Sequence, residues 1–275
     1  MQADSKQPDP LTTVKQEIER VDSGGVAVGV INAAADANIY MGGQRIVETR
    51  PDFLYTAVPP MIRRLLGREE LVDALITRLA GGEALLAAHG LPGVGKTTLA
   101  VALAHHKGVL DHFSGGVLWG ALGQTPDNAG VQAIWSGALR IPNFNELPPA
   151  QKLPRLSQAV SELRRPVLVI LDDAWTLEAA QALQLGAPNI THLLTTRNWS
   201  LATRFAGASG TLPIPELAAE PSHALLEALA PGAWASDPSA AAALAGDAGG
   251  LPLALELLGG FLVAPERMLF PDLAQ

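Results

Sequence analysis

Apolar positions along this chain change their spacing near residue 65. Ahead of that point, residues 1–10 are polar and expected to be disordered, and 11–21 carry the spacing of a short helix. Residues 26–30 and 39–41 are β-prone runs set among Gly24, Gly25, Gly42 and Gly43, too short to stand as strands alone. Pro51, Pro59 and Pro60 then mark a linker. Beyond residue 65, apolar residues at 71, 72, 75, 76 and 79 recur with a helical period, and Gly81-Gly82 supplies a left-handed stop. Residues 84–89 make a short apolar run suited to a buried strand. Residues 97–106 return to helical spacing, with Lys107 favouring the helix's negative end and Gly108 closing it.

The alternation then repeats. Residues 117–122, 166–171, 192–195 and 211–214 are strand candidates, separated by segments of helical period such as 158–164 and 178–183. Strands divided by helices predict a parallel sheet covered on both faces, because a parallel crossover needs a helix to return the chain. From residue 220 only helical patterns remain, at 222–229, 238–245 and 253–262. The expected organisation is an N-terminal segment and linker over 1–60, an α/β domain over 61–218 and a helical subdomain over 219–275.

Composition narrows the function classes. Hydrophobic residues make up 48% of the 275 positions and charged ones 17%, enough to bury a sizeable core. A net charge of −8 gives no global basic field, and no Lys/Arg run makes a local one, so direct nucleic-acid binding is not expected. There is no cysteine, which excludes disulfides, thiolate metal sites and cysteine nucleophiles. No apolar run approaches a membrane span and the N-terminus lacks a secretory pattern; a cytoplasmic protein is the default expectation.

Three motifs carry chemistry. Gly90-Leu-Pro-Gly-Val-Gly-Lys-Thr97 has the Walker A spacing, between a predicted strand and a predicted helix. Glycines at 90, 93 and 95 let the loop, Val94 included, point successive N–H groups inward at phosphates. The positive end of the following helix adds to that anion site. Lys96 would reach the β- and γ-phosphates, and the Thr97 hydroxyl would ligate Mg²⁺. Val167-Leu-Val-Ile-Leu-Asp-Asp173 is an apolar strand ending in two carboxylates. Asp172 is the candidate Mg²⁺ holder and Asp173 a candidate general base, with capping of the helix near Thr176 as the alternative for either. Arg197, just past another strand, is placed to sense a γ-phosphate, or is a solvated loop residue. His105, His106 and His112 do not fall on one helix face, so no metal site is expected there.

With those motifs located, the chain resembles the NB-ARC branch of the STAND nucleotide switches, in a bacterial form that stops before the winged-helix domain. That group includes plant disease-resistance proteins, apoptotic-protease-activating factors and many bacterial regulators. Leu65-Leu-Gly-Arg-Glu-Glu70 resembles the family's Gly-Arg-Glu opening motif, Leu171-Asp-Asp-Ala-Trp175 its Walker B and Thr195-Thr-Arg197 its sensor. Gly249-Gly-Leu-Pro-Leu-Ala254 resembles its Gly-Leu-Pro-Leu motif, which generic P-loop enzymes lack. The resemblance covers residues 60–265.

It implies a P-loop NTPase fold: a five-stranded parallel sheet sandwiched by helices, with an extra strand between the two Walker strands, then a helical subdomain. It further implies that Leu66 and Arg68 line an adenine pocket, that Pro252 packs on the base, and that Lys96, Thr97 and Thr98 hold the phosphates. The cofactors would be ADP or ATP with Mg²⁺. The family's winged helix, whose histidine touches the ADP phosphate, has no counterpart before Gln275, so a fragment or a minimal version is expected.

The function this predicts is a regulatory switch, of signalling or transcription-regulator type, with slow or no hydrolysis and with self-association or a partner protein as its output. The competing expectation is an active P-loop ATPase or phosphotransferase, motivated by the paired Asp172 and Asp173. No segment resembles a DNA-reading helix, which weighs against direct operator binding.

Overall fold

The computed structural model describes residues 53–61 and 65–263. The helix expected at 11–21 and the β-prone runs at 26–30 and 39–41 lie outside the described residues. In chain order the elements are β1 (Leu54–Thr56), α1 (Glu69–Ala80), β2 (Leu85–His89), α2 (Lys96–His105), α3 (Lys107–His112), β3 (Gly116–Gly123) and α4 (Asn128–Ala138). They continue with α5 (Pro149–Ser161), β4 (Val167–Ala174), α6 (Leu177–Gln181), β5 (Ile190–Thr196), α7 (Trp199–Gly210) and β6 (Thr211–Pro213). Four helices close the described chain: α8 (Ala219–Leu229), α9 (Pro231–Ser236), α10 (Pro238–Asp247) and α11 (Pro252–Val263).

All strands pair in parallel, in the order β1-β3-β4-β5-β2-β6. Strand β5 therefore stands between β2, which feeds the Walker A loop, and β4, which ends in the two aspartates. Among the described residues the sheet has six strands rather than the expected five. The additional one is β1, whose Leu54, Tyr55 and Thr56 pair with Gly116, Val117 and Leu118. Three residues beside a proline cluster carry too little periodicity to announce a strand, and the sheet thus begins inside the segment expected to be a linker.

Strand β4 shows why the sheet is central. Val167, Val169 and Leu171 enter one apolar cluster and Leu168 and Ile170 the other, and all five are fully buried. Side chains alternate across a strand, so a continuous apolar run needs cover on both faces. On one side the cover comes from α4 to α7, with Trp135 fully buried and its indole N–H donating to the Trp119 carbonyl at 2.9 Å. On the other it comes from α1, α2 and α3. His192 on β5 is buried as a neutral acceptor for the Leu185 N–H at 3.1 Å, and burial pushes its imidazole down to about 4.

Local differences from the sequence expectation have identifiable causes. The left-handed stop expected at Gly81-Gly82 is present, and Gly82 (φ 84°) is the residue that takes it. Helix α2 ends at His105 because His106 is extended and caps a new helix, its Nδ1 accepting from the Gly108 N–H at 3.1 Å. Lys107 and Gly108 therefore open α3 rather than close α2. Helix α5 begins at Pro149, well before the expected 158, with proline at its first turn where no N–H is needed. Helices α8 to α11 pack around their own small core of Leu217, Leu226, Ala245 and Leu255.

Candidate nucleotide-binding site

The loop between β2 and α2 leaves the C-terminal edge of the parallel sheet, where ligands of open α/β folds bind. Gly95 sits at the N-cap of α2 with φ 95° and ψ 24°, a backbone state that a side chain disfavours. Gly93 (φ 78°) is confined as well: a Cβ there would stand 3.0 Å from the Leu253 Cβ. Val94 is buried beneath the loop, and the Lys96 ammonium donates to the Gly90 and Leu91 carbonyls at 3.0 and 2.9 Å. Burial pushes the Lys96 ammonium below its usual value and Arg197 adds to that, while Asp173 and Asp172 act in the opposite sense.

Across the sheet, the register between β4 and β5 shifts between Leu171 and Ala174, and Asp173 adopts φ 53° within that irregularity. A bulge next to a site re-aims side chains that strict alternation would send to opposite faces. Asp172 becomes the hub of a hydroxyl network. The Thr97 hydroxyl donates to it at 2.9 Å, and the Thr195 hydroxyl, reaching over from β5, at 2.5 Å. Thr195 also accepts the Asp173 backbone N–H at 2.9 Å, which pins the bulge. Burial pushes the Asp172 carboxyl above the ordinary range, and the two hydroxyl hydrogen bonds pull it part of the way back. Thr176, not either aspartate, caps α6, accepting from the Ala179 N–H at 3.2 Å. Both carboxylates are thereby released from the capping alternative.

Asp173 turns the other way. One carboxylate oxygen accepts from the Trp175 indole N–H at 3.0 Å and the other faces the Arg197 guanidinium at 3.5 Å. The Arg197 guanidinium also lies over the Trp175 ring, 4.8 Å from its centroid.

These groups converge on one cavity of about 560 Å³. Gly93, Gly95, Lys96, Thr97, Thr98, Asp172, Asp173, Arg197 and Pro252 all contribute to its lining, joined by Leu253 and Glu256. Pro252 and Leu253 begin α11, and the Leu253 N–H donates to the Gly93 carbonyl at 3.2 Å. The helical subdomain thus touches the phosphate loop directly. A second, more apolar cavity of about 360 Å³ adjoins it, sharing Thr97, Thr98 and Glu256 and walled by Pro59, Pro60, Met61 and Val101. Arg68 and Leu66 line neither cavity. Arg68 is buried behind the loop, where its guanidinium donates to the Val94 carbonyl at 3.2 Å with the Glu216 charge nearby.

The chemistry of this donor set fits a polyphosphate and a hard cation. Thr97 spends its proton on Asp172, which leaves its oxygen lone pairs for a metal, and a hydroxyl with a carboxylate is the oxygen set that Mg²⁺ prefers. Sequence reasoning missed Thr195 as the Asp172 partner, Trp175 as the Arg197 partner, and the Pro59–Met61 wall. Thr195 and Trp175 lie inside the motifs already singled out. Their roles depend on strand neighbours and a bulge that spacing does not disclose.

A family model described as the NB-ARC domain matches residues 68–233, more than half of the chain. This chain belongs to the NB-ARC family. It is 31% identical over 211 residues to a probable disease resistance protein of Arabidopsis thaliana, covering 74% of this chain and 23% of that protein. A putative disease resistance protein of the same plant is 30% identical over 235 residues, covering 78% and 26%. The chain therefore spans about a quarter of the length of these relatives. Among solved structures, a STAND protein with a tetratricopeptide repeat sensor from Pyrococcus horikoshii superposes with a TM-score of 0.51 at 15% identity, covering 78% of this chain and 34% of that one. A Walker-type ATPase of Pyrococcus abyssi gives 0.50 at 16% identity, covering 76% and 71%. These likenesses show the fold, a parallel α/β sheet flanked by helices. The chain is a nucleotide-binding NB-ARC module, of a class that typically takes its nucleotide with Mg²⁺. The Gly249–Ala254 motif lies beyond the matched span. Among the described residues no helix is long and apolar enough to cross a membrane.

Proposed function

We propose that this chain is an adenine-nucleotide switch module, holding ADP or ATP with Mg²⁺ and hydrolysing ATP slowly or not at all. The observation that carries this reading is the seating of α11 on the phosphate loop through Leu253 and Gly93. A nucleotide in the cavity lies between the sheet domain and the helical subdomain, so its identity bears on their arrangement. Only a ligand with different affinity for two arrangements shifts their populations, and a γ-phosphate is such a difference.

In this reading Lys96 and the loop N–H groups hold the β- and γ-phosphates, Thr98 the phosphate next to the nucleoside, and Thr97 with Asp172 the Mg²⁺. Arg197 senses the γ-phosphate. The apolar cavity at Pro59, Pro60, Met61 and Val101 receives the base, a flat and largely apolar plate, beside Thr98. Arg68 supports the loop from behind. Slow turnover is supported by the engagement of both carboxylates: Asp172 accepts from two hydroxyls and Asp173 is held by Trp175 and Arg197. An acid in that position is poorly placed to take a proton from water. Self-association or docking of a partner protein in a cytoplasmic setting would be the output of the triphosphate-bound state.

Denaturing the purified protein and weighing what it releases tests this reading, together with a steady-state hydrolysis assay. Retained ADP with turnover well below about 1 s⁻¹, the low end of ordinary kinases, is the expected result. An absence of adenine nucleotide with turnover above that rate would favour the active ATPase or phosphotransferase instead.

A further inference from the structure

Against two of the cavity-lining residues, Asp173 and Arg197, packs a residue for which the phosphate chemistry offers no role. Trp175 is 39% exposed, does not line the phosphate cavity, and yet makes two directed contacts. Its indole N–H donates to one oxygen of Asp173, and its ring face lies under the Arg197 guanidinium. Asp173 closes the triangle through its second oxygen at 3.5 Å from the Arg197 Nε. An exposed arginine has several rotatable bonds, and confining it costs side-chain entropy that an isolated ion pair at a surface seldom offsets. Here a planar cation is fixed on two sides at once, by a ring face and by a carboxylate that the same ring orients. The fixed position faces the cavity: Arg197 contributes to its lining and stands near enough to Lys96 to disfavour that ammonium's charge.

We propose that Trp175 is a positioning residue that pre-organises Arg197 toward the terminal phosphate, and so sets how strongly the site prefers a triphosphate to a diphosphate. The inference rests on the nucleotide reading above and deepens it. A group held in place before binding surrenders less entropy on binding, so the advantage falls on whichever nucleotide Arg197 reaches. ADP, with its shorter phosphate chain, gains little from it. Asp173 then serves as the carboxylate that steadies the arginine, instead of as a general base.

The test is a double-mutant cycle on the whole chain, with affinities for ADP–Mg²⁺ and ATPγS–Mg²⁺ measured by calorimetry. In Trp175→Ala the ratio of ATPγS to ADP affinity should fall about two- to five-fold, the range of an exposed cation–π contact. In an Arg197→Ala background the same substitution should leave the ratio where Arg197→Ala alone puts it. Trp175→Phe, which keeps a ring face for the guanidinium, should recover most of the ratio. An unchanged ratio in Trp175→Ala, or an equal fall with and without Arg197, overturns the role of Trp175. Failure of the wild-type protein to bind ADP at all would instead overturn the nucleotide reading, so the two failures are distinguishable.

Discussion

At the residue scale, Asp172 shows a group kept at a cost to stability. Its carboxyl is raised above the ordinary range by burial, so the folded protein binds a proton more tightly than the unfolded chain does. The sign follows. Stability from this group is present below the usual carboxylate value and is lost as pH rises through the raised one, so near neutrality the ionised Asp172 is a burden on the metal-free fold. Thr97 and Thr195 recover part of it through their hydroxyls. Asp172→Asn is therefore expected to raise the melting temperature of the nucleotide-free protein at pH 7, by about 2–4 °C if the gain is about 1 kcal/mol. The same substitution should remove the strengthening of nucleotide binding by Mg²⁺. Thermal scans with and without EDTA, paired with titrations with and without Mg²⁺, check both halves. A lower melting temperature, or Mg²⁺ dependence that survives, would contradict this account of the residue.

At the element scale, β1 and the segment after it do more than extend the sheet. The Tyr55 hydroxyl lies 3.0 Å from His105 Nδ1, and His105 Nε2 lies 2.9 Å from the Pro59 carbonyl. A carbonyl only accepts, so the Nε2–H of His105 donates to Pro59. This chain of bonds ties the wall of the apolar cavity to the end of α2. Tyr55→Phe should cost about 1 kcal/mol of stability, the net worth of a typical hydrogen bond, and should weaken ADP binding while leaving inorganic pyrophosphate binding unchanged. Competition titrations with both ligands separate base from phosphate effects, and an equal loss for both would argue against a base site at Pro59–Met61. Elements of this kind mark the boundary of what the sequence discloses. The strands that lead into Gly90 and Arg197, and the one that carries Asp172, are legible because apolar runs and motif spacing coincide there. By contrast β1 has three residues, α4 is diluted by Gly130 and Gly137, and the prolines at 148, 149 and 154 obscure the start of α5. Contacts such as Thr195 to Asp172 follow from strand order and a bulge, which no local pattern encodes.

At the scale of the whole molecule, the sheet domain and the helical subdomain meet at one loop. The sheet and its covering helices hold the phosphate loop from below, through Val94 and Arg68. The helical subdomain reaches it from above through Pro252 and Leu253. The central claim is that a polyphosphate cradled by this loop, with Lys96 as its cation, is what the arrangement serves. Calorimetric titration of wild type and Lys96→Ala with ADP and ATPγS in the presence of Mg²⁺ tests it most directly. The account predicts that wild type binds both and that Lys96→Ala weakens each about tenfold or more, the triphosphate most, as loss of a charge-assisted phosphate contact requires. Equal affinity in the two proteins, or no binding by wild type, would contradict it.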